Sequence, residues 1–329
     1  MLPIAMLTGA SLYFIYYILP EPVHRMGPVL TEILGFIQPA LIFMMLFLTF
    51  CRIRPKDLKP HRWHWWLLLI QGGMFVILSI LAICVLEWFP ACSEDLVVLI
   101  ESAMLCFICP TATAAAVVTR KLGGDVPGIT TYIVLINILT ALLVPILIPL
   151  IRPETALGFW LSFKMIMAKV FPLLITPCLC AWLIRYLLPM FHRKLLSYPD
   201  LAFYLWSIAL TLAIAVTTKS IVHTTMNVWL ILAMSFVSLF CCAFQFWAGR
   251  AIGSRYVPRF KEHSTKAVEQ GRIVRKVTAG QSMGQKNTVF AIWLAYTFMT
   301  PETAIVGGLY SIWHNIYNSW QLRAASKRS

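Results

Sequence analysis

Residues 281–290 read QSMGQKNTVF, with Lys286 at their centre. Val277 leads into this stretch and the apolar run VFAIWLAYTFM (289–299) leads out of it. Counted from Val277, Lys286 lies roughly 14 Å along a helix, near the middle of a ~30 Å hydrocarbon core and too deep to snorkel to water. A charge at that depth costs about 2.5–3.5 kcal/mol on the insertion scale. Two readings follow: half of a structural ion pair, for which Glu101 is the available acid, or a fixed cation that attracts an anion. A buried amine also exchanges its proton, so Lys286 and Glu101 are both candidates for proton coupling. His314, flanked by Asn315, is either a hydrogen-bonded packing residue or part of a cavity wall. His61 and His64 have the i, i+3 spacing of a metal pair, but they lie in HRWHWW (61–66), which reads better as an aromatic belt at a membrane interface.

Other chemistry is thinly represented. Nine cysteines give no disulfide framework, because only Cys92 falls in an expected outer loop. There is no HExxH, nucleophile elbow or P-loop, and LGGD (122–125) misses the spacing of an intramembrane aspartyl protease. No catalytic residues, metal or cofactor are expected.

The elements that must position these residues follow from composition. The chain has 329 residues, of which 60% are apolar and 12% charged, with a mean hydropathy of +0.78. A soluble domain carries roughly twice that charged fraction. The fold class is an all-α polytopic membrane protein. Ten segments are placed: 2–20, 28–50, 64–89, 96–119, 128–151, 169–190, 201–221, 226–249, 277–299 and 303–322. Thr155–Ala168 is expected to be a separate interfacial helix, since 155–190 is too long for one span. The first segment lacks a basic leader and a small-residue cleavage site, and reads as a retained helix.

The net charge of +14 reflects topology rather than nucleic-acid binding. Most of the 27 lysines and arginines fall after even-numbered segments or at the C-terminus, including Arg52, Arg120, Arg185, Arg250 and Arg323. The other side has only Arg25, Arg152 and Lys219, with Lys164 and Lys169 near an interface. The positive-inside rule then puts both termini in the cytoplasm of a cell (inner) membrane.

Residues 1–151 and 152–329 hold five segments each, so the second set runs inverted relative to the first. Each set is interrupted in its fourth segment. The first interruption is CPTATAAA (109–116), where Pro110 removes a backbone donor. The second is AGQSMGQKNT (279–288), with Gly280 and Gly284. Paired interruptions in inverted repeats point to a transporter's midplane site. The plain alternative is a proline kink and glycine-mediated packing.

Three stretches carry a family resemblance. CPTATAAAVVTRKLGGDV (109–126), GQKNTVFAIWLA (284–295) and GGLYSIWHNIYNSW (307–320) resemble the fourth, ninth and tenth helices of the bile acid:sodium symporter family. The resemblance implies two crossing helix pairs in a core, with a panel that rocks against it. It also implies substrate contacts at Thr113, Asn287 and His314. The sodium-coupled members take ligands from a Ser-Asn pair, hydroxyls further on, and a Glu and Gln of the ninth helix. Here those positions hold Ala115 and Ala116, Ile129 and Ile133, and Ser282 and Lys286. Thr130 and Thr131 lie nearby. A one-residue shift would substitute Gln281 and Gln285 for the last two.

The expected function is therefore secondary transport, or facilitated passage, of a small organic anion that is bile-acid-like or a carboxylate or sulfonate. Conventional sodium coupling is not expected. Lys286 would replace a sodium ion or carry protons, with Thr113, Gln285, Lys286, Asn287 and His314 facing substrate, Lys286 and Glu101 as coupling candidates, and Pro110 and Gly284 at the crossover. The lipid bilayer is the other partner. The competing classes are a membrane-embedded transferase or hydrolase using His314 or Glu101, and a ligand sensor that does not cycle.

Overall fold

In a computed structural model of the chain, residues 2–19, 27–89, 94–152, 158–198, 201–256 and 265–326 are described. Long apolar sequences with their backbone hydrogen bonds closed internally can only become helices or closed barrels in lipid, and these become helices. They are α1 (Leu2–Ile18), α2 (Gly27–Cys51), α3 (Arg62–Trp88), α4 (Glu94–Ile108), α5 (Ala114–Lys121), α6 (Val126–Ile151) and α7 (Gly158–Leu187). Then come α8 (Pro189–Leu196), α9 (Leu201–His223), α10 (Val228–Arg255), α11 (Thr265–Gly284), α12 (Thr288–Phe298) and α13 (Pro301–Ser326). Parts of α2, α3, α6, α7, α9 and α10 are each long and apolar enough to cross a bilayer, and α1 and α12 contain shorter apolar helices.

Burial is arranged for lipid rather than water. Large apolar side chains such as Leu7, Trp160 and Trp229 face outward, while Gln71, Glu101, Gln245, Gln281 and Lys286 are buried. The chain is an integral membrane protein. Helices α1, α2 and α9 pack mainly on one another, and α3, α4, α10, α11 and α13 form a second set, with α7 packed on both α2 and α6 and with α9 on α13 joining the two. Helices α10 and α11 approach closely along their length. A Cβ at Gly249 would sit 2.4 Å from the Ala279 carbonyl oxygen, and one at Gly253 would sit 2.5 Å from that of Arg275. This small-xxx-small spacing lets two backbones meet in the absence of a hydrophobic drive between helices.

Two expectations need correction. The described part of Thr155–Ala168 is not a separate interfacial helix. From Gly158 the chain runs into one 30-residue helix through Pro172 and Pro177, about 45 Å long and so longer than the hydrocarbon core. The ninth segment begins not at Val277 but at Thr265, because α11 carries its polar first turns beyond the apolar stretch. His61 and His64 form no metal pair, while Trp65 and Trp66 beside them are exposed at the start of α3. His64 is wholly buried, its Nδ1 accepts from the His61 backbone N–H at 2.7 Å, and its Nε2 lies 2.9 Å from the Gly128 carbonyl oxygen. It caps α3 and ties it to α6. No cluster of three metal-ligating residues occurs among the described residues. Arg25, Cys92, Thr155, Arg259 and Lys261 lie outside the described residues.

Candidate functional site

The fourth and ninth segments are each broken. Helix α4 ends at Ile108 and α5 starts at Ala114; α11 ends at Gly284 and α12 starts at Thr288. Broken helices leave carbonyl and amide groups without partners in their own helix, and in a membrane such groups must be met from within the protein. Here the two breaks meet each other. Thr111 and Lys286 form an isolated antiparallel bridge. The Ala112 N–H donates to the Gln285 carbonyl at 2.9 Å, and the Asn287 N–H donates to the Pro110 carbonyl at 2.8 Å. The Thr111 hydroxyl adds a bond to the Ser282 carbonyl at 2.5 Å. The two breaks therefore cross in contact at Pro110 and just beyond Gly284.

The carbonyls at the end of α4 and just beyond it are each met by a side chain from a different part of the chain. Gln245 of α10 donates to Cys106 at 3.1 Å, Lys286 Nζ to Phe107 at 3.2 Å, and Thr140 of α6 to Ile108 at 2.9 Å. Gln71 of α3 donates to Cys109 at 3.2 Å and is itself held by the Tyr132 hydroxyl at 2.8 Å. On the other break, the Tyr310 hydroxyl of α13 donates to the Gly284 carbonyl at 2.9 Å. Gln71, Tyr132, Thr140, Gln245 and Tyr310 are absent from the sequence-derived site. The two glutamines are polar residues in apolar spans and so carried a signal; a tyrosine or threonine in a membrane helix carries none.

Lys286 is 2% exposed. Its ammonium lies at the carbonyl end of α4, where the helix dipole is negative. Of its three N–H donors only the one to Phe107 has a hydrogen-bond acceptor, and no carboxylate pairs with it among the described residues. A cavity of about 10 Å³, lined by Cys106, Cys109, Lys286, Thr288 and Tyr310 among others, adjoins it. That is room for about one water, so the crossover is closed in this conformation.

The remaining site residues separate. Asn287 caps α12, its Oδ1 accepting from the Phe290 N–H at 3.2 Å. Thr113 occupies the corresponding position of α5, but its hydroxyl caps nothing. Gln285 is buried with an unpartnered Oε1, and His314 is buried with an unpartnered Nδ1. His314 packs on Tyr310, with ring centroids 5.7 Å apart, so it sits one turn from the crossover without a hydrogen bond to it. Glu101 is elsewhere. Its carboxylate takes Arg152 Nε at 2.6 Å and Nη2 at 3.2 Å, plus the Thr303 hydroxyl at 3.0 Å. The ion pair of Glu101 is thus with Arg152, at the C-terminal end of α6, and not with Lys286. Hydrogen bonding to Glu101 also raises the pKa of Arg152, which keeps the guanidinium charged.

Several positions that hold sodium ligands in the resembled family offer no side-chain oxygen here. Ala115, Ile129 and Ile133 are fully buried and apolar. Thr130 and Thr131 turn their hydroxyls back onto the Val126 and Pro127 carbonyls of their own helix.

A bundle of apolar helices with two broken ones crossing around a buried cation defines a polytopic membrane protein with an irregular backbone site held inside protein. The chain matches the SBF-like CPA transporter family over residues 6–326, nearly its whole length, and belongs to that family. No curated protein matches it.

Proposed function

We propose that the protein moves a small organic anion across the cell membrane by alternating access, and that Lys286 stands where relatives hold a coupling sodium ion. The observation that carries this reading is a fully buried ammonium with one carbonyl bond and no paired carboxylate. Two of its N–H donors point to a partner that comes and goes. The N-terminal ends of α5 and α12 supply further positive potential beside it, and Thr113, Gln285, Asn287 and His314 would offer the polar contacts. Residues 1–151 and 152–329 are read as inverted repeats giving ten passes, with α4–α5 and α11–α12 as equivalent broken spans. Both termini are assigned to the cytoplasmic side of the cell (inner) membrane. Helices α1, α2, α7 and α9 would be the panel that rocks to open the closed crossover. As a proton carrier Lys286 precedes Glu101, since protonating Glu101 would break its pair with Arg152.

The test is counterflow of labelled carboxylates and sulfonates in proteoliposomes without sodium. Exchange of unmodified solute that Lys286→Gln abolishes is expected. Chemical conversion of the solute would indicate an enzyme, and binding without flux a sensor. Strict sodium dependence would overturn the substitution of lysine for sodium.

A further inference from the structure

A cavity of about 480 Å³ lies away from the crossover, in a groove between α10, α11 and α13. That volume falls in the range of small-molecule sites. Its walls change character along their length. Leu239, Phe246, Trp247 and Trp313 make one end apolar and aromatic, while Arg250 and Lys276 make the other cationic. From Leu239 to Arg250 is about 16 Å along α10, roughly half of a ~30 Å hydrocarbon core and so one leaflet deep.

Arg250 is held in place. A Cβ at Gly280 would meet its Cγ at 2.6 Å, so its stem lies across α11 where only glycine leaves room. Its Nη1 donates to the Tyr317 hydroxyl at 3.1 Å. Neither Arg250 nor Lys276 is paired with a carboxylate among the described residues. Two neighbouring cations of α11 are engaged: Arg275 with Asp125 at 3.0 Å, and Arg272 with Glu269 at 3.5 Å.

The groove is also separate from the crevice that a rocking panel would open. Gly308 packs on Thr217 of α9, and Asn315 Nδ2 reaches Met6 Sδ of α1 at 4.0 Å. At about 3.6 residues per turn these positions fall on the far side of α13 from Trp313 and Tyr317. The groove side faces outward, as exposed Trp247 and Ile316 indicate.

We propose that this groove binds one anionic phospholipid, its phosphate between Arg250 and Lys276 and an acyl chain along the aromatic wall toward Leu239. Basic pockets between membrane helices recognise such headgroups by charge, an arginine fork suits a phosphodiester, and the apolar length matches a single leaflet. This site does not depend on the transport reading.

Full-length protein in mild detergent, titrated with phosphatidylglycerol or phosphatidylcholine of equal chain length, tests it by native mass spectrometry. Phosphatidylglycerol is expected to be retained preferentially. At about fivefold per basic residue, Arg250→Gln with Lys276→Gln should weaken it by about twenty-five-fold. Ala243→Phe, which fills the groove and leaves both charges, should also displace it, and this covers a folding failure of the double variant. Inorganic phosphate and glycerophosphoglycerol should compete poorly. Equal retention of the two lipids, unchanged binding by Ala243→Phe or by a folded double variant, or displacement by inorganic phosphate alone would overturn the site.

Discussion

At Lys286, function and stability should pull in opposite directions. A buried ammonium with one acceptor carries a desolvation cost that a single carbonyl bond does not offset. Lys286→Met keeps the length and removes the charge, at the cost of leaving the Phe107 carbonyl unmet, which is worth about 1–3 kcal/mol. Unfolding stability should therefore stay within about 1 kcal/mol of the parent, or rise, while anion binding is lost. A loss above about 3 kcal/mol would make the lysine a structural member instead. Glu101 should behave the other way. Glu101→Gln leaves Arg152 uncompensated, and because that guanidinium is 28% exposed the cost should be about 2–4 kcal/mol, somewhat below that of a fully buried pair. Chemical unfolding in detergent measures it, and a change under about 1 kcal/mol would show the pair to be dispensable.

At the level of elements, the crossing breaks hold because their freed backbone groups bond to each other. Pro110 contributes a carbonyl that accepts from Asn287 and has no amide to lose. Replacing it with alanine would not restore a continuous helix, since Ala112 N–H and Asn287 N–H are already engaged across the crossing. The α10–α11 contact is more sensitive. Gly249→Leu must push aside the Ala279 backbone, whereas Gly73 of α3 has nothing within 4 Å of its Cβ position. The first substitution should cost about 2 kcal/mol or more and the second less than about 0.5 kcal/mol, by the difference between overpacking and a surface change. Equal melting temperatures for the two variants would refute the close approach.

For the whole molecule, the two helix sets and the closed crossover make a specific demand on any transport cycle. About 10 Å³ beside Lys286 admits a water, not an organic anion, so the crossover must open by movement of one set against the other. A cross-link between Gly308→Cys on α13 and Thr217→Cys on α9, positions already in contact, should stop counterflow and leave folding intact. Unchanged flux with the cross-link formed would mean that this contact does not move. Reporter fusions at both ends should give the same cytoplasmic signal if the basic loops set orientation.

What could be read without the structure was whatever lipid imposes locally. Apolar stretches of fixed length had to become helices, so their boundaries lie within a few residues of α2, α3, α6 and α9. The breaks at Pro110 and Gly284 were legible because proline and glycine act on the backbone where they stand. Lys286 was legible because a charge deep in an apolar run is conspicuous in any fold. The choice of polar partners was not, since it depends on how helices far apart in sequence are rotated and where loops return. Glu101 was the nearest acid to pair with Lys286 on paper, yet Arg152 takes it. His64 was on paper one of a histidine pair, and its partner is the Gly128 carbonyl. Arg250 and Lys276 share a groove only because α10 and α11 pack at glycine distance. Helix formation in lipid is settled by composition over some twenty residues, while pairing among buried polar groups is a property of the packed bundle.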